Sequence, residues 1–409
     1  MQGWRNTHED AHEMRCDDKS GSFWVLDGHG GDGAANFGSR ELAKEFDDFF
    51  KSAELPSDDR IKQGMISIDS KLREHFSKHK NEESGSTVIG TVAALQADGT
   101  YTVKLVNCGD SRAIVVRAVS ESADSQKPVA LRVPDHLTSL PAGTDEEYVA
   151  RACRWPLIQE TVDHKPSHPT EKSRIEAAGG TVSQDVPPRL DSNLAVSRGF
   201  GDFEYKSNSD KEVSEQKVSC VPDIYEVAGL QTGALCILCC DGVWDVMTGA
   251  DVGTLVRDRL AADPEVDLGE IAAEIVKQSL EKSSRDNVTA MVVQLGPGEE
   301  WATSPPDEMK CFDKLVSTEA ALEDDVKKGY LTFLQRCKFP PEPLACAVCS
   351  QWYLSMNQCG CKNVIYCSKA CQKKHWKKHK AECPMIKSAA STSPAGAKAA
   401  PAKNSGSKK

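Results

Sequence analysis

Three apolar runs in this chain each deliver an aspartate into a turn at their end: Phe23-Trp-Val-Leu-Asp27-Gly-His-Gly, Leu105-Val-Asn-Cys-Gly-Asp110 and Leu235-Cys-Ile-Leu-Cys-Cys-Asp241-Gly. A fourth aspartate, Asp286 of Ser284-Arg-Asp-Asn287, stands just ahead of another such run, Val288 to Gln294. Short apolar runs between polar and glycine boundaries read as buried strands. A chain that repeats this pattern is held to a sheet whose strand ends carry acids. The glycines beside Asp27 let the backbone come close to whatever the carboxylate binds. After Gly33 an amphipathic stretch begins, so the first unit reads strand, acidic turn, helix.

The elements between follow from period and turns. Helices are predicted over Gly33 to Phe50 and Asp58 to His79. Thr87 to Leu95 and Tyr101 to Asn107 read as a hairpin joined through Gln-Ala-Asp-Gly, with a third strand at Ala113 to Val119. Arg5 to His12, where Glu9 and Asp10 are adjacent, shows no helical period and reads alone as a solvated loop. Pro134 to Gln159 also lacks a clear period and is expected to be a surface insertion. A short helix, Glu171 to Ala178, closes on Gly179-Gly180. The helix from Leu268 sets Ile271, Ala272, Ile275 and Val276 on one 3.6-period face. Cys236, Cys239 and Cys240 lie in an apolar strand and read as buried core, because free cysteine behaves as a small hydrophobe.

A length of 409 residues suits two domains, or one large domain plus a module. The net charge of -11 conceals an asymmetry: from Cys346 onward twelve Lys face one Glu, or +11, which leaves -22 for the first 345 residues. The acidic body argues against nucleic acid as main partner, whereas the basic end suits acidic proteins, nucleic acid or a membrane surface. No apolar run approaches the ~20 residues that a membrane span needs. The N-terminus, Met-Gln-Gly-Trp-Arg, has no apolar signal core. The expectation is a soluble intracellular protein of the cytoplasm, the nucleus or both.

Glu9, Asp27, Asp110, Asp241 and Asp286 all occupy loop or strand-end positions. Taken singly, an Asp in a glycine turn is more often a capping or turn residue, and spacing leaves open whether these acids converge. Gathered at one rim, they would repel one another unless cations lay between them. Such hard oxygen ligands select Mg²⁺ or Mn²⁺ over zinc. Two such ions about 4 Å apart form a clamp for hydrolysing a phosphate ester. No Gly-x-Ser-x-Gly elbow supports a serine nucleophile.

The ordered blocks GWRNTHEDAH, VLDGHGG, SGSTVIG, VNCGDSRA, DHKPSHPTEKSRIEAAGG, LAVSRGFGD, CCDGVWDVM and SRDNVTAMVV resemble the metal-dependent Ser/Thr protein phosphatases of type 2C, from Met1 to about Leu295. The resemblance implies an α+β fold: an antiparallel β-sandwich flanked by helices on both faces, with metals at one edge. It implies that Asp27 bridges two metals, helped by the Gly28 carbonyl. Asp241 and Asp286 would complete one metal and Glu9 would serve the other, with Asp10 holding a metal-bound water. Asp110 is implied at a weaker third site. Arg5 would hold the phosphate through its planar, permanently charged guanidinium. His29 would be the general acid that protonates the leaving Ser or Thr oxygen. His12 and Asn287 would support these groups, and activated water would attack phosphorus in line without a phosphoenzyme. Two departures stand out. The edge strand usual ahead of the first block is mostly missing, and the Pro134 to Gln159 insertion exceeds the usual length.

Glu299 to Glu308, rich in Pro, Ser and acid, reads as a boundary, and Met309 to Arg336 shows helical spacing. The expected division is a catalytic domain over 1–297, a linker with helical segments over 298–345, a zinc module over 346–383 and a disordered basic tail over 384–409. Seven of the sixteen cysteines crowd between Cys346 and Cys383, which calls for metal rather than cross-links. Cys346, Cys349, Cys359, Cys361, Cys367, Cys371, His379 and Cys383 supply two four-ligand sets, as structural zinc demands. The string YCSKACQKKHWKKHKAEC resembles the MYND zinc finger. That resemblance implies interleaved sites, with Cys346, Cys349, Cys367 and Cys371 on one zinc and Cys359, Cys361, His379 and Cys383 on the other. His375 would lie outside both. Cys359-Gly-Cys361 has one intervening residue where the family usually has two.

The expected cofactors are therefore two Mg²⁺ or Mn²⁺ ions with a third weak site, plus two structural zinc ions. The expected partners are phosphoprotein substrates and a proline-containing peptide or protein on the finger. Lys373 to Lys380 reads as a solvated face rather than a nucleic-acid surface. The rival reading is a non-catalytic phosphatase-fold scaffold that acts through its finger.

Overall fold

Alternation along the strands builds a sandwich with helices outside it. The computed structural model describes residues 1–296 apart from 4, 6, 18, 53, 141–143, 146–147 and 150–152, and residues 344–384 apart from 350–351, 354–356, 360, 362 and 367. The chain divides into two compact units, Met1–Asp313 and Lys314–Lys409. The expected linker helices, the basic tail and Cys367 lie outside the described residues.

The first unit contains the strands β1 (Ala11–Cys16), β2 (Ser20–Leu26), β3 (Gly28–His29), β4 (Gly85–Ser86), β5 (Val88–Leu95), β6 (Tyr101–Cys108), β7 (Arg112–Val116), β8 (Ala130–Arg132), β9 (Leu157–Glu160), β10 (Phe200–Gly201), β11 (Asp223–Leu230), β12 (Leu235–Cys239) and β13 (Ala290–Gln294). Its helices are α1 (Gly33–Glu45), α2 (Asp47–Ser52), α3 (Asp58–Lys78), α4 (Asp135–Thr138), α5 (Pro169–Ala177), α6 (Asp241–Trp244), α7 (Gly249–Ala262) and α8 (Leu268–Glu281). One sheet has six strands in the order β1-β2-β5-β6-β11-β8, and a second has four in the order β13-β12-β7-β9. All of their pairings are antiparallel.

Strand β2 shows why the fold closes. Phe23 and Val25 point into the core between the sheets, where Val103, Leu105, Tyr225, Val115 and Leu238 meet them. Trp24 and Leu26 point the other way, onto Leu42 of α1 and Met65, Ile68 and Leu72 of α3. A strand buried on both faces reads as a continuous apolar run. Each such side chain contributes roughly 1.5–3 kcal/mol by leaving water. Trp24 stacks on Phe46 at 5.6 Å. Its strand partner is Gly90, where an added Cβ would lie 2.1 Å from the indole. Helices α7 and α8 cover the second sheet, against β9, β7 and β13. The layers are thus helix, sheet, sheet, helix.

Some expectations shift. The predicted helix over Gly33 to Phe50 breaks at Phe46 into α1 and α2. The solvated-loop reading of Arg5 to His12 fails from Ala11 onward, because β1 pairs with β2 through Ala11↔Leu26 and His12↔Val25. The insertion reading fails at its end, since Leu157–Glu160 is strand β9, paired with β7 and with Leu157 and Ile158 buried. Four residues beside Trp155-Pro156 are too short a run to show a period. Cys236, Cys239 and Cys240 are fully buried. No helix among the described residues is long and apolar enough to cross a membrane.

The second unit holds β14 (Leu344–Ala345), β15 (Trp352–Tyr353), β16 (Asn357–Gln358), β17 (Ile365–Tyr366) and helix α9 (Lys369–Glu382). The strands pair as two short ribbons, β14 with β15 and β16 with β17. Ser368 caps α9, its Oγ accepting from Cys371 N at 3.2 Å. Among the described residues, Cys359, Tyr366 and Cys383 form the small buried cluster. A core of that size needs another source of stability.

Candidate active site and zinc cluster

Asp27 stands at the tip of β2, and its backbone is fastened on both sides. Thr87 N donates to the Asp27 carbonyl at 2.9 Å, and Asp27 N donates to Thr87 Oγ1 at 3.3 Å. Thr87 Oγ1 also pairs with Ser111 Oγ at 2.7 Å, which ties this tip to the one bearing Asp110. The approach is close: a Cβ on Gly109, whose φ is +139°, would lie 2.5 Å from Thr87 Cβ. Only glycine tolerates both conditions.

Asp241 opens α6 directly after β12, and Gly242 lets that turn settle on the Asn287 carbonyl, 2.0 Å from where a Cβ would sit. Asn287 then reaches the start of the chain. Its Oδ1 accepts from Glu9 N at 2.8 Å, and its Nδ2 donates to Gln2 O at 2.8 Å and Thr7 O at 2.9 Å. Glu9 is thereby delivered to the acids, with its carboxylate accepting from Thr7 Oγ1 at 2.8 Å and Gly31 N at 3.2 Å. Two residues further on, Thr289 Oγ1 donates to Asp10 Oδ2 at 2.6 Å.

Glu9, Asp27, Asp110, Asp241 and Asp286 all line one cleft of about 880 Å³, together with Gly28. Asp10 lies beneath, with a carboxylate oxygen within 4.8 Å of donor atoms of Asp27 and Cys240. Burial pushes the Asp27 carboxyl well above its usual value, and the charges of Asp241, Asp10, Asp110 and Asp286 add to it. Burial likewise lifts Asp241, with help from Asp110, Asp245 and Asp286. Asp110 is pushed up to about 6 by burial, against the opposing charge of Lys165. Burial also raises Asp10, and its Oδ1 is buried with no hydrogen-bond partner. Acids crowded in this way favour a cation over their own protons only if one is supplied. The donors are hard carboxylate oxygens, so the residues present fit Mg²⁺ or Mn²⁺.

Arg5 and His29 stand on the cleft wall. Arg5 Nη2 lies 2.5 Å from Asp286 Oδ2, and its side chain is 57% exposed at the mouth. His29 Nε2 lies 2.8 Å from Asp202 Oδ2. Burial alone would lower the His29 pKa; the charge and hydrogen bond of Asp202, with Asp110 and Glu9, outweigh it and raise the value. His12 sits on β1, away from the cleft lining. Sequence reasoning passed over Asp202, Lys165 and Asp245. Lys165 Nζ lies 3.8 Å from Asp245 Oδ1 and 4.0 Å from Asp163 Oδ2. Asp202 lay within the quoted LAVSRGFGD block, the only signal available for it.

In the second unit, donor atoms of Cys359, Cys361, His379 and Cys383 lie within 4.8 Å of one another, as do those of Cys346, Cys349 and Cys371. His379 Nε2 is 3.2 Å from Cys359 Sγ and 3.4 Å from Cys361 Sγ. The single residue between Cys359 and Cys361 does not prevent this convergence. Three thiols and an imidazole make a soft four-donor set that fits structural zinc. His375 stands outside, with Nδ1 3.0 Å from Tyr366 Oη. Cys367 lies outside the described residues.

An enzyme that handles phosphate through divalent cations has this kind of cleft. The family profile Protein phosphatase 2C matches residues 1–131 and 154–288, and the profile MYND finger matches residues 346–383. Protein phosphatase 1A of Bos taurus is 32% identical over 80% of this chain and 77% of its own length. Protein phosphatase 1B of Mus musculus is 32% identical over 72% of this chain and 68% of its own. The crystal structure of a phosphatase from a pathogenic strain of Toxoplasma gondii superposes with a TM-score of 0.56 at 26% identity, covering 74% of this chain and 92% of that one. A C. elegans sex-determining protein shares the fold, with a TM-score of 0.54 at 23% identity over 73% of this chain and 64% of that one. The chain belongs to the protein phosphatase 2C family, the metal-dependent serine/threonine phosphatases, and carries a MYND finger, a zinc-binding protein-interaction module. The family match breaks between 131 and 154, so β9 belongs to the shared fold and the insertion ends ahead of it.

Proposed function

We propose that this protein hydrolyses phosphoserine and phosphothreonine in protein substrates, using two Mg²⁺ or Mn²⁺ ions. Asp27, the Gly28 carbonyl, Asp241, Asp286, Glu9 and Asp10 would hold these ions, and Asp110 would serve a weaker third site. Bound there, the ions supply Lewis-acid stabilisation of the phosphoryl charge and activate the attacking water. The rest falls to the chain's own side chains. Arg5, exposed at the cleft mouth, exchanges Asp286 for the incoming phosphate, which its fork can grip at two oxygens. His29 gives a proton to the departing Ser or Thr oxygen. The finger, held by two zinc ions, recruits proline-containing protein segments.

One observation supports this reading above the others: five acids from separate turns share one cleft, and burial with mutual repulsion lifts Asp27 and Asp241 well above ordinary carboxylates. The test is hydrolysis of a phosphothreonine peptide by the full chain with Mn²⁺, with EDTA, and as Asp241→Ala. Activity should require Mn²⁺, vanish in EDTA and fall by about 100-fold or more in the variant. A folded, zinc-loaded protein with no hydrolysis would reverse the reading in favour of a scaffold.

A further inference from the structure

A small ribbon stands apart from the sandwich, with its strands in the order β10-β4-β3. Its register sets His29 opposite Gly85 and Gly85 opposite Gly201. His29 and the residue just before Asp202 therefore flank the same glycine. The missing side chain leaves a space, and that space is filled. A Cβ on Gly85 would lie 2.2 Å from Asp202 Oδ2 and 2.3 Å from His29 Nε2. The two side chains meet there at 2.8 Å.

The turn that presents Asp202 is unusual. Gly201 and Asp202 both have left-handed backbones, with φ +74° and +52°, and a Cβ on Gly201 would lie 2.1 Å from Ser84 O. Few non-glycine residues adopt that conformation without support. Here the support is a buried ion pair. Asp69 Oδ1 accepts from Gly201 N at 2.9 Å. Lys206 Nζ donates to both Asp69 oxygens, at 2.9 and 3.0 Å, and to Gly199 O at 2.8 Å. Both groups line the cleft, and the Asp202 side chain is only 10% exposed against 32% for His29, so the carboxylate is the more deeply set of the two.

From this geometry we infer that Asp202 is a positioning residue for proton delivery: it holds His29 through Nε2 and leaves Nδ1 to serve the leaving group. The inference rests on the reading of His29 as the general acid and adds to it the partner and the proton-bearing atom. A carboxylate that accepts from one ring nitrogen fixes the orientation of the ring and which nitrogen exchanges the working proton. In the step, a bond forms from water oxygen to phosphorus while the bond from phosphorus to the Ser or Thr oxygen breaks. The leaving oxygen keeps that electron pair and takes the proton from Nδ1. The proton shed by the water passes to solvent, and the imidazole later regains one from solvent.

The consequence depends on the leaving group. A Ser or Thr alkoxide needs the proton; a 4-nitrophenolate is stable as an anion and needs it far less. The full chain, loaded with Mn²⁺ and Zn²⁺, is therefore assayed on a phosphothreonine peptide and on 4-nitrophenyl phosphate. The proteins compared are wild type, Asp202→Asn, His29→Gln and the double variant. Asp202→Asn should lower kcat on the peptide by about 10–100-fold, part of what a general acid supplies, and much less on the aryl ester. In the His29→Gln background the same change should add no further loss. Gly85→Ala, which pushes the pair apart while keeping both residues, should repeat the ester-selective loss and covers the case of Asp202→Asn failing to fold. Equal losses on both esters, or independent losses in the double variant, would overturn the inference and leave Asp202 as a brace of its loop. A wild-type protein that hydrolyses neither ester would overturn the phosphatase reading along with it.

Discussion

Asn287 uses every polar atom of its side chain on the segment that carries Glu9. One amide accepts from Glu9 N and donates to two carbonyls, those of Gln2 and Thr7, in a site only 5% exposed. Removing it leaves one N–H and two carbonyls short of partners, which costs about 1–3 kcal/mol where the groups stay buried. Asn287→Ala should therefore lower unfolding stability by that amount in urea. It should also raise the Mn²⁺ concentration needed for half-maximal hydrolysis, because Glu9 loses its anchor. Unchanged stability and an unchanged Mn²⁺ requirement would show that Glu9 is held by other contacts. At this scale the acids were legible in the sequence, since an Asp after an apolar run and before glycine declares itself locally. The partners were not. The Asn287 contacts span 278 residues or more, and Asp202 reaches His29 across 173. No local pattern encodes a contact at that separation.

Helix α5 and strand β11 are joined through charge. Glu171, 1% exposed, takes Arg174 Nη1 at 2.6 Å, Arg198 Nη2 at 2.7 Å and Ser197 Oγ at 2.6 Å. Arg198 Nη1 continues to Asp223 Oδ1 at 2.9 Å, and Asp223 Oδ2 faces His164 Nε2 at 3.1 Å. Burial works to raise the Glu171 carboxyl, but Arg198, Arg174 and His164 outweigh it and hold the group well below its ordinary 4.5. Asp223 is held well below its ordinary 3.8 in the same way, chiefly by Arg198 against burial. The unfolded chain thus takes up these protons more readily than the folded one. The stabilisation is complete above the ordinary carboxylate range and is lost as pH falls through it toward the depressed values. Glu171→Gln should be less stable than wild type by about 3 kcal/mol at neutral pH. That gap should shrink as pH falls below about 5. Taking the difference between two proteins in urea cancels the acids of the cleft, whose raised values act in the opposite sense. A gap independent of pH would mean that the carboxylate charge contributes nothing. Elements with a strong local signature were read correctly, such as the β5–β6 hairpin across Asp98-Gly99 and Ile271, Ile275 and Val276 on the buried face of α8, where Ala273 rather than the expected Ala272 is buried. Strand β11 escaped because Glu226 sits among its apolar residues and its register slips between Ala228 and Leu230.

Across the whole chain, the two units gather different kinds of metal ligand. The first unit gathers carboxylate oxygens, and its central thiols are unsuited to compete for metal. Burial pushes Cys236 up to about 12, which keeps it protonated, and the thiolate is the form that binds metal. The second unit gathers Cys and His side chains, so ligand softness alone sorts zinc from Mg²⁺ or Mn²⁺. Zinc also does different work. Among the described residues, the buried apolar cluster of the finger is Cys359, Tyr366 and Cys383, with Val348, Cys361, Val364 and Cys371 packed against it, and four of those seven are themselves candidate ligands. Structural zinc supplies on the order of 10–16 kcal/mol to small domains, so such a finger folds only with its metal. If the two ligand sets interleave along the chain, neither half can hold its ion once the other has come apart. Cys383→Ser should therefore take zinc content from two ions per chain toward none rather than to one, as read by native mass spectrometry. Mn²⁺-dependent hydrolysis of a short phosphopeptide, the activity proposed for the first unit, should persist in the same sample. A variant that keeps one zinc and an ordered finger would show instead that each site folds by itself, and that the stability of the finger is divided between its metals rather than shared.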